Sequence, residues 1–280
     1  MRSFTLFFSI ICVFGSIYAL AKISPDLDTV RNMTRSGKIL EQFTTYTDTL
    51  HRIPMRHGNY EKWDSLGNLQ ISAQWKFGQR QGLTRLFYPQ GQISEQIPYH
   101  EGKRHGIHFK WSPEAVLVEE LNYSDDVLQG MSRSWREDGS KISEISYAHG
   151  LKHGSEKLFD QENKIIAETH YFQGKKHGSE KKWTPKGQLI YKCEWKLDQL
   201  EGFCKYWNEI GALKEESSWK NGLRHGLYKR YHSNGKSARE EFWKNGKQNG
   251  VFKTWNDKGV LTSAQRWAGG VCVSGCTANK

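Results

Sequence analysis

The chain has 280 residues, 13% of them aromatic, and its 41 Lys and Arg against 30 Asp and Glu leave a formal charge of +11 and a pI near 9.3. Such a balance draws anionic surfaces. The five cysteines hold one C-x₃-C spacing, Cys272 with Cys276, and not the two paired C-x₂₋₄-C sets of a zinc centre, which speaks against a metal-built domain.

The N-terminal stretch "MRSFTLFFSIICVFGSIYALAK" carries Arg2, runs uncharged and apolar from Phe4 to Leu20, and closes on Ala19-Leu20-Ala21. That is the layout of a signal peptide over residues 1–21, cut before Lys22. The alternative is an uncleaved anchor through residues 4–20, which approach membrane-spanning length. Either reading exports the rest of the chain, secreted or periplasmic. Cys12 follows bulky Ile11 inside the apolar run and does not fit a lipoprotein cysteine.

Residues 22–57 read as a degenerate N-terminal cap, the atypical end that a solenoid needs. Within them "RSGKILEQFTTY" resembles half of a later unit, with Gly37 at the turn and Ile39 after it.

From Gly58 a period of 24 begins, through Gly82, Gly106, Gly130, Gly154, Gly178, Gly202, Gly226 and Gly250. Fixed self-similarity at such a period marks a repeat architecture. Five residues after each glycine stand Trp63, Phe87, Trp111, Trp135, Phe159, Trp183, Trp207, Tyr231 and Trp255. Seventeen after it stand Trp75, Tyr99, Tyr123, Tyr147, Tyr171, Trp195, Trp219, Trp243 and Trp267. A second glycine recurs at offset 9, with Ala115 and Asn163 as exceptions, and a third at offset 20, with Asp126 and Asp198 as exceptions. Asn and Asp tolerate a left-handed backbone, so only Ala115 predicts a differently built turn.

Offsets 5, 11 and 17 share odd parity, the period-two signal of one strand face. Each unit therefore reads as a β-hairpin that buries its aromatics by stacking on its neighbours. The fold class is all-β: an elongated antiparallel meander or solenoid of nine 24-residue β-hairpin repeats over residues 58–273, with a C-terminal tail at 274–280. The aromatic columns are core first and ligand platforms second.

Units such as "NGLRHGLYKRYHSNGKSAREEFW" and "QGKKHGSEKKWTPKGQLIYKCEW" resemble the MORN-type repeat, in the variant found in YwqK-like antitoxin proteins. That resemblance implies a scaffold or binding surface, and an antitoxin or immunity role that blocks a toxin by surface complementarity. It supplies no catalytic residues.

Cationic residues precede the repeat glycines at Arg56, Arg80, Arg104, Lys152, Lys176 and Arg224, predicting one basic edge as a candidate site for anionic lipid or an acidic envelope polymer. Histidines follow at His57, His105, His153, His177 and His225. One repeat step spans two strands, about 9.6 Å, against about 2.0–2.1 Å from zinc to a ligand, so this column reads as loop packing and not as a metal site. Cys272 and Cys276 are spaced for a small terminal disulfide, while the offsets of Cys193 and Cys204, 15 and 2, predict opposite faces unless a bulge intervenes. No nucleophile elbow, phosphate-cradling loop or H-E-x-x-H occurs, so no enzyme activity, metal or cofactor is expected. The expected partner is a protein, a toxin among the options, or an envelope component; an anionic membrane surface is the alternative, and nucleic acid is not expected.

Overall fold

The computed structural model describes residues 8–13, 16–21, 27–47 and 53–276. All regular structure among them is strand, and no helix is long and apolar enough to cross a membrane. Phe8–Val13 and Ser16–Ala21, within the expected signal segment, pair with each other as a separate two-stranded sheet. The remainder of that segment, part of the cap and most of the tail lie outside the described residues.

The chain forms two compact units, Met1–Gln92 with Tyr99–Gly102, and Ile93–Pro98 with Lys103–Lys280. In the first, the strands Leu27–Met33, Ile39–Thr47, Pro54–Trp63, Leu69–Lys76 and Gly82–Phe87 pair antiparallel in chain order. In the second, the strands from Gly106–Trp111 to Val271–Ser274 also pair antiparallel in chain order as a meander. Among the described residues Leu27–Met33 pairs only with Ile39–Thr47, and Val271–Ser274 only with Leu261–Ala268, so neither meander closes on itself. This is the all-β hairpin-repeat architecture that the period of 24 predicts.

Two kinds of turn build every repeat. At the second glycine, the Asp64 N–H donates to the Asn68 carbonyl at 2.9 Å, the Gly67 N–H donates to the Asp64 carbonyl, and the Asp64 carboxylate accepts from the N–H groups of Leu66 and Asn68. Side chains of Ser112, Asp160, Asn208 and Asn256 cap their own turns alike, a use of short polar residues that the glycine columns did not reveal. Ala115 is a correction. It takes a φ of +62° and keeps the same two backbone hydrogen bonds, Ser112 to Val116 and Ala115 to Ser112, so its turn is built like the others.

At the third glycine both central residues have positive φ, as in Asn221 (51°) and Gly222 (75°) or Leu197 (50°) and Asp198 (67°), the two-residue geometry that matches strand twist. The repeat glycine itself sits where the backbone slips in register. Gly250 has a φ of +102°, and a Cβ added there would lie 3.0 Å from the Cβ of Phe242.

The faces differ from the parity expectation. Each repeat glycine stands opposite the second aromatic, Gly58 with Trp75 and Gly202 with Trp219, a separation of 17 residues. Because that separation is odd, residues of opposite parity share a face across the turn. Offset 17 thus lies with offsets 2 and 4, whereas offset 5 lies on the other face, opposite offset 11 after a one-residue register shift, as in Trp207 with Leu213. Parity holds along a strand and is reset by the length of each turn.

The first face, the core face, holds the most buried side chains, at offsets 2 and 15: Tyr60, Ala73, Thr84, Cys204, Ser217, Tyr228, Glu241 and Phe252 are at most 9% exposed. Of the eighteen column aromatics only Phe159, at 8%, is buried, and the others are half-buried. The same arithmetic corrects the cysteines. Cys193 and Cys204 are direct cross-strand partners on the core face, with Cα atoms 4.1 Å apart, and are joined by a disulfide; Cys272 and Cys276 are also joined.

Candidate binding faces

All six basic residues expected at a free edge lie over aromatic rings of the core face. Arg56 stands 4.8 Å from the Tyr60 centroid and 5.2 Å from that of Trp75, and Arg80 stands 5.1 Å from Tyr99. Arg104 lies 4.1 Å from Tyr123, Lys152 5.0 Å from Tyr171, Lys176 4.7 Å from Trp195, and Arg224 5.2 Å from Trp243. A cation held this way screens the ring quadrupole and covers apolar surface with its methylene stem.

Four of the six also pair with carboxylates: Arg56 with Glu41 at 3.2 Å, Arg104 with Asp126 at 2.8 Å, Lys152 with Glu156 at 2.6 Å and Lys176 with Glu180 at 3.1 Å. Hydrogen bonds from the Arg104 side chain and backbone hold the Asp126 carboxyl below its usual range. These charges are engaged within the fold.

The histidine column packs against the loops it precedes. His57 meets Phe77 with ring centroids 4.8 Å apart, His153 and His177 flank Phe172 at 5.1 and 5.7 Å, His105 reaches Asp125 at 3.3 Å, and His225 reaches Asn245 at 3.1 Å. Among the described residues no three His, Cys, Asp or Glu side chains gather to hold a metal ion.

The opposite face of the second unit carries a row of charges, one per strand, that the sequence reading missed. Successive cross-strand partners are Glu120, Arg133, Glu144, Lys157, Glu168 and Lys181, followed by Lys192, Lys205, Glu216, Lys229, Glu240 and Lys253. Side chains meet along it, Arg133 with Glu120 at 2.5 Å, Lys181 with Glu168 at 3.3 Å, and Lys205 with Glu216 and Lys229 with Glu240 both at 3.5 Å. The hydrogen bond from Lys141 holds the Glu144 carboxyl below its usual range, against the upward effect of burial.

On this ladder face the offset-5 column, from Trp111 and Trp135 to Trp255, runs beside the charges, since residues two apart on a strand point the same way. The Tyr231 hydroxyl donates to Glu216 at 2.8 Å; burial first, and then this bond, push its pKa up to about 12. At the same hairpin a shallow groove is lined by Leu213, Lys214, Arg230, Tyr231, His232 and Arg239, and Arg230 and Arg239, at offsets 4 and 13, stand directly opposite each other on the core-face side.

Three stretches of the chain, residues 80–101, 176–197 and 224–245, match the MORN repeat variant. Each runs from the cation ahead of a repeat glycine to the next two-residue turn. No curated protein matches the chain. Among solved structures, a mutant of S. aureus TarM in complex with fondaparinux, alpha-GlcNAc-glycerol and UDP overlaps 39% of this chain and 20% of its own, at 17% identity and a TM-score of 0.26. The TcdB2-TccC3-Cdc42 complex overlaps 85% of this chain and 16% of its own, at 11% identity and a TM-score of 0.17. The chain thus spans a fifth or less of the length of these solved chains.

Proposed function

We propose that this chain is a non-enzymatic, exported repeat scaffold that binds a protein partner through the ladder face. The observation that carries the reading is the aromatic row Trp111, Trp135, Phe159, Trp183, Trp207, Tyr231 and Trp255, one on every second strand of the face opposite the buried columns and half-buried at every member but Phe159. Rigid aromatics at partly exposed positions are the side chains that dominate protein interfaces. The carboxylates beside them are already matched by Lys and Arg, so covering the row leaves few charges unpaired. The six cations ahead of the repeat glycines are held on rings and carboxylates, which favours this face over a basic edge. Export rests on the apolar segment between Phe4 and Leu20. An antitoxin role, implied by the YwqK-like resemblance, is a narrower form of the same proposal in which the partner is a toxin.

Affinity capture from envelope extracts, with wild type beside a Trp183→Ala/Trp207→Ala double variant, tests it. A specific protein held by the first and lost by the second, with the circular dichroism of both alike, supports the reading. Turnover of any substrate that one point substitution abolishes would refute it.

A further inference from the structure

The charge row on the ladder face alternates in sign everywhere from Glu120 to Lys253 except at one place, where Lys181, Lys192 and Lys205 follow one another on neighbouring strands. Elsewhere a cation such as Lys157 has a carboxylate on both sides, Glu144 and Glu168. Lys181 and Lys205 have one each in the row, Glu168 and Glu216, whereas Lys192 has none in it and, among the described residues, forms its ion pair with Glu194 on its own strand at 3.6 Å, where both side chains are about 40% exposed. Strands lie about 4.8 Å apart, and like charges directly opposite each other are unfavourable. A glutamate at 192 would restore the pattern, as the same column shows at Glu120, Glu144, Glu168, Glu216 and Glu240.

We infer that Lys181, Lys192 and Lys205 dock a carboxylate-rich segment of a protein partner, whose acidic side chains take the place of the carboxylate missing from the row; this rests on the proposed role of the ladder face. The flanks fit such a segment. Trp183 and Trp207 stand two residues beyond Lys181 and Lys205 on the same face, and Phe203, 62% exposed, stands two residues before Lys205. Three cations framed by accessible aromatics match a peptide that alternates acidic and apolar groups. The cations are all lysine, point charges of the kind that already meets carboxylates at 3.3 to 3.5 Å along this row, whereas an arginine fork is the side chain that matches phosphate bidentately.

The test uses the full chain and a fluorescein-labelled hexaglutamate peptide, with heparin and anionic lipid vesicles as separate arms at two salt concentrations. Wild type should bind the peptide, more weakly at high salt. Lys192→Glu should weaken binding by about tenfold or more and at the same time raise the melting temperature by about 2 to 4 °C, because it completes the alternation. Lys253→Glu, the same charge change at the end of the row, should leave peptide binding within about twofold. Peptide binding that ignores Lys192→Glu, a lowered melting temperature for that variant, or binding of heparin or vesicles with none of the peptide would each overturn the inference. A partner captured through Trp183 and Trp207 but indifferent to Lys192→Glu would leave the aromatic-row proposal standing and remove this one.

Discussion

Replacing Arg224 tests whether the cations ahead of the repeat glycines belong to the fold or to a binding edge. Its guanidinium carbon lies 5.7 Å from the Trp219 centroid, 4.8 Å from Tyr228 and 5.2 Å from Trp243, and Tyr228 is buried. A cation over a ring contributes about 0.5 to 1 kcal/mol when exposed and about 2 when desolvated. One charge cannot draw the full amount from each ring, so Arg224→Ala should lose about 2 to 3 kcal/mol, part of it from the stem that packs on the rings. Arg224→Met keeps the stem and drops the charge, and should lose about 1 to 2 kcal/mol. Urea unfolding followed by tryptophan fluorescence gives both values, with Lys220→Ala, an exposed lysine, as the control expected within about 0.5 kcal/mol. If Arg224→Ala unfolds with the control and instead loses binding to anionic vesicles, the ring contacts contribute nothing and the basic edge is a site.

Tyr231→Phe should flatten the alkaline loss of stability. Its folded pKa of about 12 lies above the ordinary 10, so its contribution is complete below pH 10 and lost as pH rises from 10 to 12; an unchanged slope of melting temperature there would discount the bond to Glu216. Ala115→Gly should gain about 0.5 to 1 kcal/mol in a denaturant melt, since it relieves a left-handed alanine at φ +62° while loosening the unfolded chain. A Cys193→Ala/Cys204→Ala double variant should lose about 2 to 4 kcal/mol in the same assay, from an opened 11-residue loop and lost buried volume. Indifference to that change would mean the two strands are held by their ladder alone.

The repeat, its turns and its strand content were legible because they depend on backbone conformation, which the sequence records directly. Glycine at offsets 0, 9 and 20 marks positions of positive φ, and the Asp and Asn exceptions at 126, 163 and 198 keep it. What stood in the way was carrying parity across a turn. A two-residue turn pairs Lys196 with Gln199, and the longer hairpin pairs Gly202 with Trp219, both odd separations, so an odd and an even offset meet. Counting parity from the glycine alone placed both aromatic columns on one face and set Cys193 apart from Cys204. The buried columns at offsets 2 and 15 escaped notice for a different reason. They mix Tyr, Thr, Ser, Cys and Glu, since burial on this face comes from the long side chains of offset 17 and of the preceding cations lying across them.

Constancy along a repeat reports structure, so the residues that depart from a column carry the information about function. Glutamate fills the ladder column at 120, 144, 168, 216 and 240, and Lys192 is the one basic residue in it. The strands that bear Lys192 and Lys205 are also the ones joined by Cys193 and Cys204, each cysteine adjacent in sequence to one of those lysines. Neighbours on a strand face opposite ways, so the disulfide lies behind the like-charged pair. Repulsion between Lys192 and Lys205 acts to part the two strands, and the covalent link opposes it from the core face. Two departures from the repeat thus fall on one strand pair, one that weakens pairing and one that restores it. That arrangement is intelligible if the exposed lysines are kept for a partner that neutralises them.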